Sequence, residues 1–268
     1  SEDGYLKFDC VGGIDRRVLL CKPVAVGKNK IPGVIGMKPI HLTTAEERKS
    51  IPKVKELYID IGAKDKEEAE KLVSPGDYVT FSGDIVEFGE GFIKAKALDD
   101  RAGCAVMLEL LKEDLPMDCT FAFTVQEEIG CKGAMGAAFS VKPEIALILE
   151  TTTAADLAGV EGGKKVCCLG EGPVVPFMDG GSIADRRLYE LTRTLAKENH
   201  IPWQTKHMIA GGNDARVIQR SREGVRTVVM SAAVRYLHAP STVACIRDFD
   251  HIYKLARLFI EAVAQKEV

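Results

Sequence analysis

Short apolar runs separated by glycine and proline dominate the first third of the chain. They cover residues 5–11, 18–26, 34–40, 57–61 and 78–81, with Gly12-Gly13, Pro32-Gly33 and Pro75-Gly76 lying between them. This punctuation is typical of short strands joined by turns. Residues 1–88 are therefore predicted to form a small β-barrel.

Two short surface helices are predicted to interrupt this barrel. One begins at Thr44, with Glu47 three residues later, and the other begins at Asp65, with Glu68 three residues later. A short polar residue followed at this spacing by glutamate can form a capping box, in which the two side chains bond reciprocally to the backbone.

From residue 89 onward the pattern changes to strands that alternate with helices. Apolar runs of strand length are followed by segments with helical periodicity. Residues 89–268 are therefore predicted to form a layered α/β domain, in which ligands bind beyond the carboxyl ends of strands. The predicted strands are 92–97, 119–125, 145–149, 204–208 and 227–231, and the predicted helices are 101–112, 132–139, 185–199, 213–220 and 248–265.

Composition and charge narrow the classes of function. The 268 residues are 46% hydrophobic and 28% charged, with a formal net charge of -3. Such a chain can bury a large core but offers no broad positive field for nucleic acid. Apolar runs of membrane-spanning length and a signal-peptide pattern are both missing from the sequence, so a cytoplasmic protein without a membrane partner is expected. The eight cysteines are expected to be reduced.

Carboxylates follow or interrupt several of the apolar runs. Asp99-Asp100 precedes a predicted helix, Glu127-Glu128 follows the run at residues 121–125, and Glu150 closes the run at residues 145–149. An unpaired carboxylate is costly to bury, and a bound cation removes that cost. Hydrolysis at a metal also needs a base beside the ligands, and two adjacent glutamates could supply one of each.

Each of these candidates also has a simpler interpretation. Asp99-Asp100 could do no more than cap the helix that follows. Glu127-Glu128 differs from ordinary surface pairs because three closely spaced glycines follow it and let the backbone pack tightly. His238 taken alone is more often a structural histidine than a ligand, but the nearby motifs make it a candidate ligand.

Five short segments, rich in glycine, acidic residues or histidine, follow one another along the chain in a characteristic order. They are Gly33-Val34-Ile35-Gly36 through His41-Leu42, Lys96-Ala97-Leu98-Asp99-Asp100-Arg101, Val125-Gln126-Glu127-Glu128-Ile129-Gly130, Gly211-Gly212-Asn213-Asp214-Ala215 and Val234-Arg235-Tyr236-Leu237-His238. Together they resemble the dinuclear metallo-aminopeptidases of the tetrahedral (TET) type. This is metallopeptidase family forty-two, which includes glutamyl aminopeptidases and proteins labelled cellulase M. The resemblance covers essentially the whole chain.

The resemblance implies an architecture and an assembly. Residues 89–268 would be the α/β catalytic metallopeptidase domain, and residues 1–88 an inserted small β-barrel domain used for subunit contacts. Members of the family trim peptides and assemble dimers into hollow dodecamers, so a homo-oligomer is expected. The preferred N-terminal residue of the substrate and the native metal stay open.

The resemblance also implies a set of site residues. Asp99 would bridge two divalent ions, zinc or cobalt, while Glu128 and His238 complete one site and Glu150 belongs to the other. Glu127 would be the general base. The family pattern includes a His-x-Asp-Glu segment that would lie upstream of Ser1, so an N-terminally incomplete chain with one incomplete metal site is expected.

A metal-dependent aminopeptidase with a glutamate base is the preferred function, and two alternatives remain. One is a non-catalytic assembly or peptide-binding subunit, against which the presence of Glu127 argues. The other is a glycoside hydrolase, because two carboxylates can perform that chemistry. The combination of His238 with the acid cluster favours a metal site instead.

Overall fold

The computed structural model describes residues 1–266 and divides the chain into two compact units. The first unit comprises Ser1–Ile85 and His238–Ser241. The second comprises Val86–Leu237 and resumes at Thr242. Along the sequence, the second unit is thus interrupted by the short segment 238–241.

The first unit is built on a four-stranded antiparallel sheet. Its strands are β1 (Pro23–Val26), β2 (Ile31–Gly36), β3 (Tyr58–Asp60) and β4 (Val79–Phe81), in the order β3-β2-β1-β4. The alternating apolar residues of β1 point into a small core because successive side chains of a strand face opposite sides. That core contains Leu19, Val24, Val26, Ile35, Leu57 and Ile59.

The strand pairing within residues 1–266 gives this sheet an open order, with β3 and β4 at its edges. A closed barrel is not shown by this pairing, so the predicted barrel stays a prediction. The predicted run at residues 5–11 forms only an isolated bridge, between Leu6 and Ile59. The run at residues 18–26 becomes a strand only from Pro23.

Both predicted caps form, but only the one at Thr44 is reciprocal, because the Glu68 carboxylate accepts the Lys64 N–H instead of the Asp65 N–H. Asp65 accepts the Glu68 N–H at 2.9 Å and caps the helix α1 (Lys66–Leu72). Thr44 and Glu47 exchange reciprocal bonds, with the Thr44 N–H donating to the Glu47 carboxylate at 2.6 Å and the Glu47 N–H donating to Thr44 Oγ1 at 3.1 Å. Only a single 3₁₀ turn, Glu47–Lys49, follows this second motif.

The second unit contains a mixed five-stranded sheet. Its order is β5-β6-β9-β8-β7, with β7 and β8 parallel and the other pairs antiparallel. The parallel register places Glu150 opposite Ser231. The strands are β5 (Val86–Phe88), β6 (Phe92–Ala95), β7 (Ile145–Thr153), β8 (Arg226–Arg235) and β9 (Thr242–Cys245).

Five helices accompany this sheet and confirm the α/β class. They are α2 (Leu98–Leu110), α3 (Lys132–Val141), α4 (Arg186–Glu198), α5 (Ala215–Ile218) and α6 (Ile246–Ala264). Among the helices of residues 1–266, none is both long and apolar enough to cross a lipid bilayer.

The core of the second unit lies where α2, α4 and α6 pack against β7 and β8. Fully burying one large apolar side chain contributes about 1.5–3 kcal/mol, so this layer holds the strands and helices together. Its most completely buried members include Leu110, Leu188, Val228, Met230 and Leu255.

Two predicted strands are absent from the sheets of residues 1–266. Residues 119–125 and residues 204–208 have apolar patterns of strand type, but a strand also needs a partner for its backbone groups. Gln204 instead exchanges single backbone bonds with Pro173 and Val175. The prediction of strands in these two places was wrong.

Candidate active site

A cleft of about 730 Å³ in the second unit contains most of the predicted site residues. Apolar side chains of β7 and α6 form part of its wall, among them Leu147 and Phe259. Mixed apolar and polar lining of this kind is typical of small-molecule and peptide sites. The carboxylates that line the cleft are Asp99, Asp100, Glu127, Glu128, Glu150 and Asp214.

Asp99 and Asp100 lie at the start of α2 and have different roles. Both have non-helical backbone angles, so regular helix begins only after them, and the peptide bond between them is cis. The Asp100 carboxylate accepts the Gly103 N–H at 2.9 Å and caps the helix. This observation agrees with the cap interpretation for Asp100 and leaves Asp99 to face other partners.

Gly103 allows α2 to approach β7 closely. A Cβ at this position would lie 2.7 Å from the Leu149 carbonyl oxygen and 2.3 Å from Asp100 Oδ2. Because a backbone oxygen cannot swing aside, any side chain here would push the helix from the strand. The small residue therefore fixes the distance between the Asp99-Asp100 segment and Glu150.

Glu150 is largely buried within β7, and not at the end of the strand as predicted. Three threonines continue the strand to Thr153, because β-branched residues suit a pleated strand and β8 satisfies their backbone groups. The Thr151 N–H donates to Glu150 Oε1 at 3.0 Å, and Thr151 Oγ1 donates to Asp99 Oδ1 at 3.0 Å.

Three carboxylates crowd together around this threonine. Asp99, Asp100 and Glu150 each offer an oxygen, and these oxygens lie within 4.8 Å of one another. Burial, followed by the charges of Asp100 and Asp99, raises the pKa of Glu150 well above its usual range. Burial raises the pKa of Asp100 to about 8, against the opposing effect of the Gly103 N–H. A bound cation would relieve this repulsion, so the donor set fits a divalent metal.

Glu127 and Glu128 occupy a tight 3₁₀ turn, Glu127–Ile129. The N–H groups of Gly130 and Cys131 both donate to the Glu127 carbonyl oxygen, at 3.0 and 2.9 Å. The Glu128 carboxylate offers an oxygen within 4.8 Å of one from Asp99. Two residues predicted to act together, 29 positions apart in the sequence, are therefore close in space.

The start of α3 anchors this turn. The Gly133 N–H donates to the Val125 carbonyl oxygen at 2.9 Å. A Cβ at Gly133 would lie only 2.5 Å from both the nitrogen and the oxygen of Val125. The helix can therefore begin this close to the preceding segment only because residue 133 has no side chain.

The Glu127 side chain is half-buried beside a thiol. Cys131 Sγ donates to Glu127 Oε1 at a distance of 3.5 Å. Burial raises the pKa of Glu127, the Cys131 hydrogen bond lowers it, and the charges of Asp214 and Glu128 raise it further. A carboxylate whose pKa moves towards neutrality is suited to exchange a proton during a reaction at neutral pH.

Asp214 joins this cluster, although no role was predicted for it from the sequence. It follows Gly211-Gly212-Asn213 and is only 8% exposed. Thr124 Oγ1 donates to Asp214 Oδ2 at 2.5 Å, whereas Asp214 Oδ1 is buried without a hydrogen-bond partner. The Gly-Gly-Asn-Asp sequence was the available signal, but its spacing matches no phosphate-binding or dinucleotide motif.

His238 lies three residues beyond the end of β8. It belongs to the segment His238–Ser241, which packs with the first unit, and its side chain is exposed. Its predicted role as a metal ligand stays a prediction.

Comparisons with known proteins identify a family. Residues 1–255 match the M42 glutamyl aminopeptidase family. A lysyl aminopeptidase of Pyrococcus furiosus is 32% identical over 97% of this chain and 76% of its own length. An aminopeptidase structure from the archaeon Desulfurococcus kamchatkensis superposes with a TM-score of 0.92 at 36% identity, covering 97% of this chain and 74% of that one.

A third similar protein is known as a large oligomeric assembly. The TET1 peptidase of Pyrococcus horikoshii, described as able to assemble into a tetrahedron or a large octahedral shell, is 33% identical to this chain. The superposition has a TM-score of 0.82 and covers 96% of this chain and 77% of that chain.

Proposed function

This chain belongs to the M42 glutamyl aminopeptidase family, and from that premise we propose which of its residues carry out metal-dependent removal of N-terminal residues from peptides. The observation that carries the proposal is one cleft in which Glu127 lies beside the crowded carboxylates of Asp99, Glu128 and Glu150. Metal ligands and a spare base are the two components that such hydrolysis requires.

Asp99 is the proposed shared ligand of two divalent ions. Its carboxylate belongs to two groups of close donors, one containing Glu128 and the other containing Glu150. We assign Glu128 and His238 to one ion and Glu150 to the other. His238 is included because it lies three residues after β8, the strand that pairs with the one carrying Glu150. Carboxylates together with imidazole suit zinc or cobalt.

The Glu127 carboxylate is the proposed general base. Divalent ions, when bound, lower the pKa of water and polarise the scissile carbonyl. A Glu127 oxygen takes the proton from the attacking water and passes it to the nitrogen of the leaving amine. The apolar wall of the cleft receives the peptide, because Phe123 and Val141 are exposed and offer surface from which water is readily displaced.

Two matched substrates test whether the activity acts on free N-termini. The purified chain should hydrolyse aminoacyl-p-nitroanilides but not the same compounds with an acetylated amine. A chelator should abolish turnover, and zinc or cobalt should restore it. Equal cleavage of the acetylated compounds would contradict aminopeptidase action, and turnover that survives full metal removal would contradict the metal assignment.

We also propose that copies of this chain associate through the first unit, Ser1–Ile85, into a dodecamer. A relative of this chain is described as forming a closed tetrahedral or octahedral shell. The first unit exposes several large apolar side chains, including Ile40 at 69% and Leu42 at 58%. Apolar side chains left in contact with water are typical of surfaces that another subunit covers.

Charged substitutions in each unit test this association. The double variant Ile40→Glu, Leu42→Glu should lower the mass measured by light scattering, because burying two carboxylates in an interface is costly. The control is Ile183→Glu, an equally exposed position at 68% in the second unit. The control should keep the mass of the unmodified protein. A mass that changes only in the control would place the interface in the second unit.

A further inference from the structure

We propose that Cys131, Asp214 and Glu127 form a further cation site, one that takes soft divalent ions such as Cd²⁺ or excess Zn²⁺. These three residues are separate from the proposed ligands Asp99, Glu128 and Glu150. Glu127 lies in the 3₁₀ turn before α3, Cys131 is the N-cap residue of α3, and Asp214 is the N-cap residue of α5.

The donor atoms are already close to coordinating distances. One atom from each residue, the Cys131 sulfur and one carboxylate oxygen from each acid, lies within 4.8 Å of the others. Bond lengths of about 2.3 Å to sulfur and about 2.1 Å to oxygen place two donors on one tetrahedral zinc roughly 3.5 Å apart. The separation between Cys131 Sγ and Glu127 Oε1 is 3.5 Å.

Asp214 provides an independent indication of a ligand. Its side chain is more than nine-tenths buried, and Oδ1 has no hydrogen-bond partner although Oδ2 accepts from Thr124. A buried carboxylate oxygen without a partner is costly. Since Asp214 lines the same cleft as Glu127, an ion entering the cleft could reach that oxygen.

The thiol determines which ions the site prefers. Sulfur ligands select soft metals, whereas carboxylates alone bind hard and borderline ions without such preference. Coordination replaces the Cys131 S–H bond by a sulfur–metal bond and releases one proton to solvent. Burial, followed by the charges of Glu127 and Asp214, raises the pKa of Cys131 to about 12 in the absence of an ion, and a bound cation opposes the effect of those charges.

Occupation of this site has a consequence for hydrolysis that rests on the proposed role of Glu127. A Glu127 oxygen bound to a cation cannot accept a proton from water. Soft metal ions beyond the catalytic requirement should therefore inhibit the enzyme, and the inhibition should require the Cys131 thiol.

Cadmium is the probe, because a cadmium–thiolate bond gives an ultraviolet charge-transfer band that carboxylate and imidazole ligands do not give. The full chain is titrated with CdCl₂ in unmodified form and as Cys131→Ser, Asp214→Asn and Cys104→Ser. Cys104 is the matched control, since it lines the same cleft but lies outside the donor cluster. Circular dichroism verifies folding, and inhibition of aminoacyl-p-nitroanilide hydrolysis is followed in parallel.

The unmodified chain and Cys104→Ser should show a saturable band that Cys131→Ser lacks. Asp214→Asn should keep the band but need at least about tenfold more cadmium to reach half its intensity. A full band in folded Cys131→Ser, or unchanged cadmium affinity in folded Asp214→Asn, would overturn the site. A Cys131-dependent band without inhibition supports the site and contradicts the assignment of Glu127 as base.

Discussion

One hydroxyl group orients the carboxylate that is proposed to be shared by two cations. Thr151 Oγ1 donates to Asp99 Oδ1, and the N–H of the same residue donates to Glu150. Thr151→Val keeps the β-branched shape and removes only the hydroxyl. We predict that the affinity for divalent metal falls about 10- to 100-fold, as is typical when the hydrogen-bond partner of a ligand is lost.

Thr152→Val provides the matched control for this prediction. Thr152 is also buried, but successive side chains of a strand face opposite sides, so it points away from Thr151. Metal affinity is measured by competition with a chromogenic chelator. Equal affinities in the two variants would show that the Thr151 hydroxyl does not position Asp99.

Most carboxylates that line the cleft could be proposed as site residues from sequence, but Asp214 and the neutral partners could not. Asp99, Glu127 and Glu150 each interrupt or follow an apolar run, which makes a carboxylate conspicuous. Thr151 and Cys131 carry no charge, and their neighbours in the sequence are partly polar, so neither stands out in that way. Their roles depend on contacts such as Thr151 with Asp99, 52 positions apart, and Thr124 with Asp214, 90 positions apart.

At the scale of elements, the close packing of α3 on the segment before it holds the Glu127–Ile129 turn in place. Gly133→Ala would put a Cβ 2.5 Å from the Val125 backbone, so the turn must shift. We predict a loss of about 1–3 kcal/mol in the free energy of unfolding, measured by urea denaturation. Weaker metal binding should accompany this loss, because Glu128 lies on the displaced turn.

Gly136→Ala, one helical turn later, is the control for this substitution. Nothing lies within 4 Å of a Cβ built at Gly136, and the residue is in the interior of α3. Alanine should stabilise the protein there by roughly 0.5–1 kcal/mol, because glycine loses more conformational freedom on folding. If Gly136→Ala lost as much free energy of unfolding as Gly133→Ala, the cause would be alanine in the helix itself, and not the contact with Val125.

Sequence patterns predicted the longer helices and the strands β6, β7 and β8, but they missed the middle strand β9 and misplaced several element ends. The apolar face of α6 and the cap of α4 at Asp185 are local signals, and both helices are present. The length of β7 depends on its partner β8, which satisfies the backbone beyond Glu150. Residues 119–125 carry a strand pattern, yet no pattern within a segment specifies which strand it will pair with.

At the scale of the whole molecule, the crowded carboxylates should make the metal-free protein less stable as pH rises. The folded pKa values of Asp100, at about 8, and of Glu150 lie above those of the unfolded chain, at about 4. The folded state therefore binds more protons between these values. The stability contributed by the two groups is present below about pH 4 and is lost as the pH rises through about 8.

Urea denaturation of the metal-free chain across this pH range measures the effect. Asp100→Asn should reduce the decline, because asparagine caps the helix without titrating. Glu144→Gln, at an exposed position, should leave it unchanged. Stability that instead rises with pH through this window in the unmodified chain would mean that the acids ionise freely, and the case for a cation at the cluster would fail.

The proposed mechanism requires Glu127 to move protons while its neighbour Glu128 holds metal. The most direct measurement compares Glu127→Gln with Glu128→Gln in both turnover of aminoacyl-p-nitroanilides and metal content per chain. Glutamine keeps the shape of glutamate but is a poor proton acceptor, and general-base catalysis typically contributes about a hundred- to ten-thousandfold. Glu127→Gln should lose turnover by that factor with its metal retained, whereas Glu128→Gln should lose metal as well. Near-normal turnover in Glu127→Gln, or full metal retention in Glu128→Gln, would contradict this division of roles.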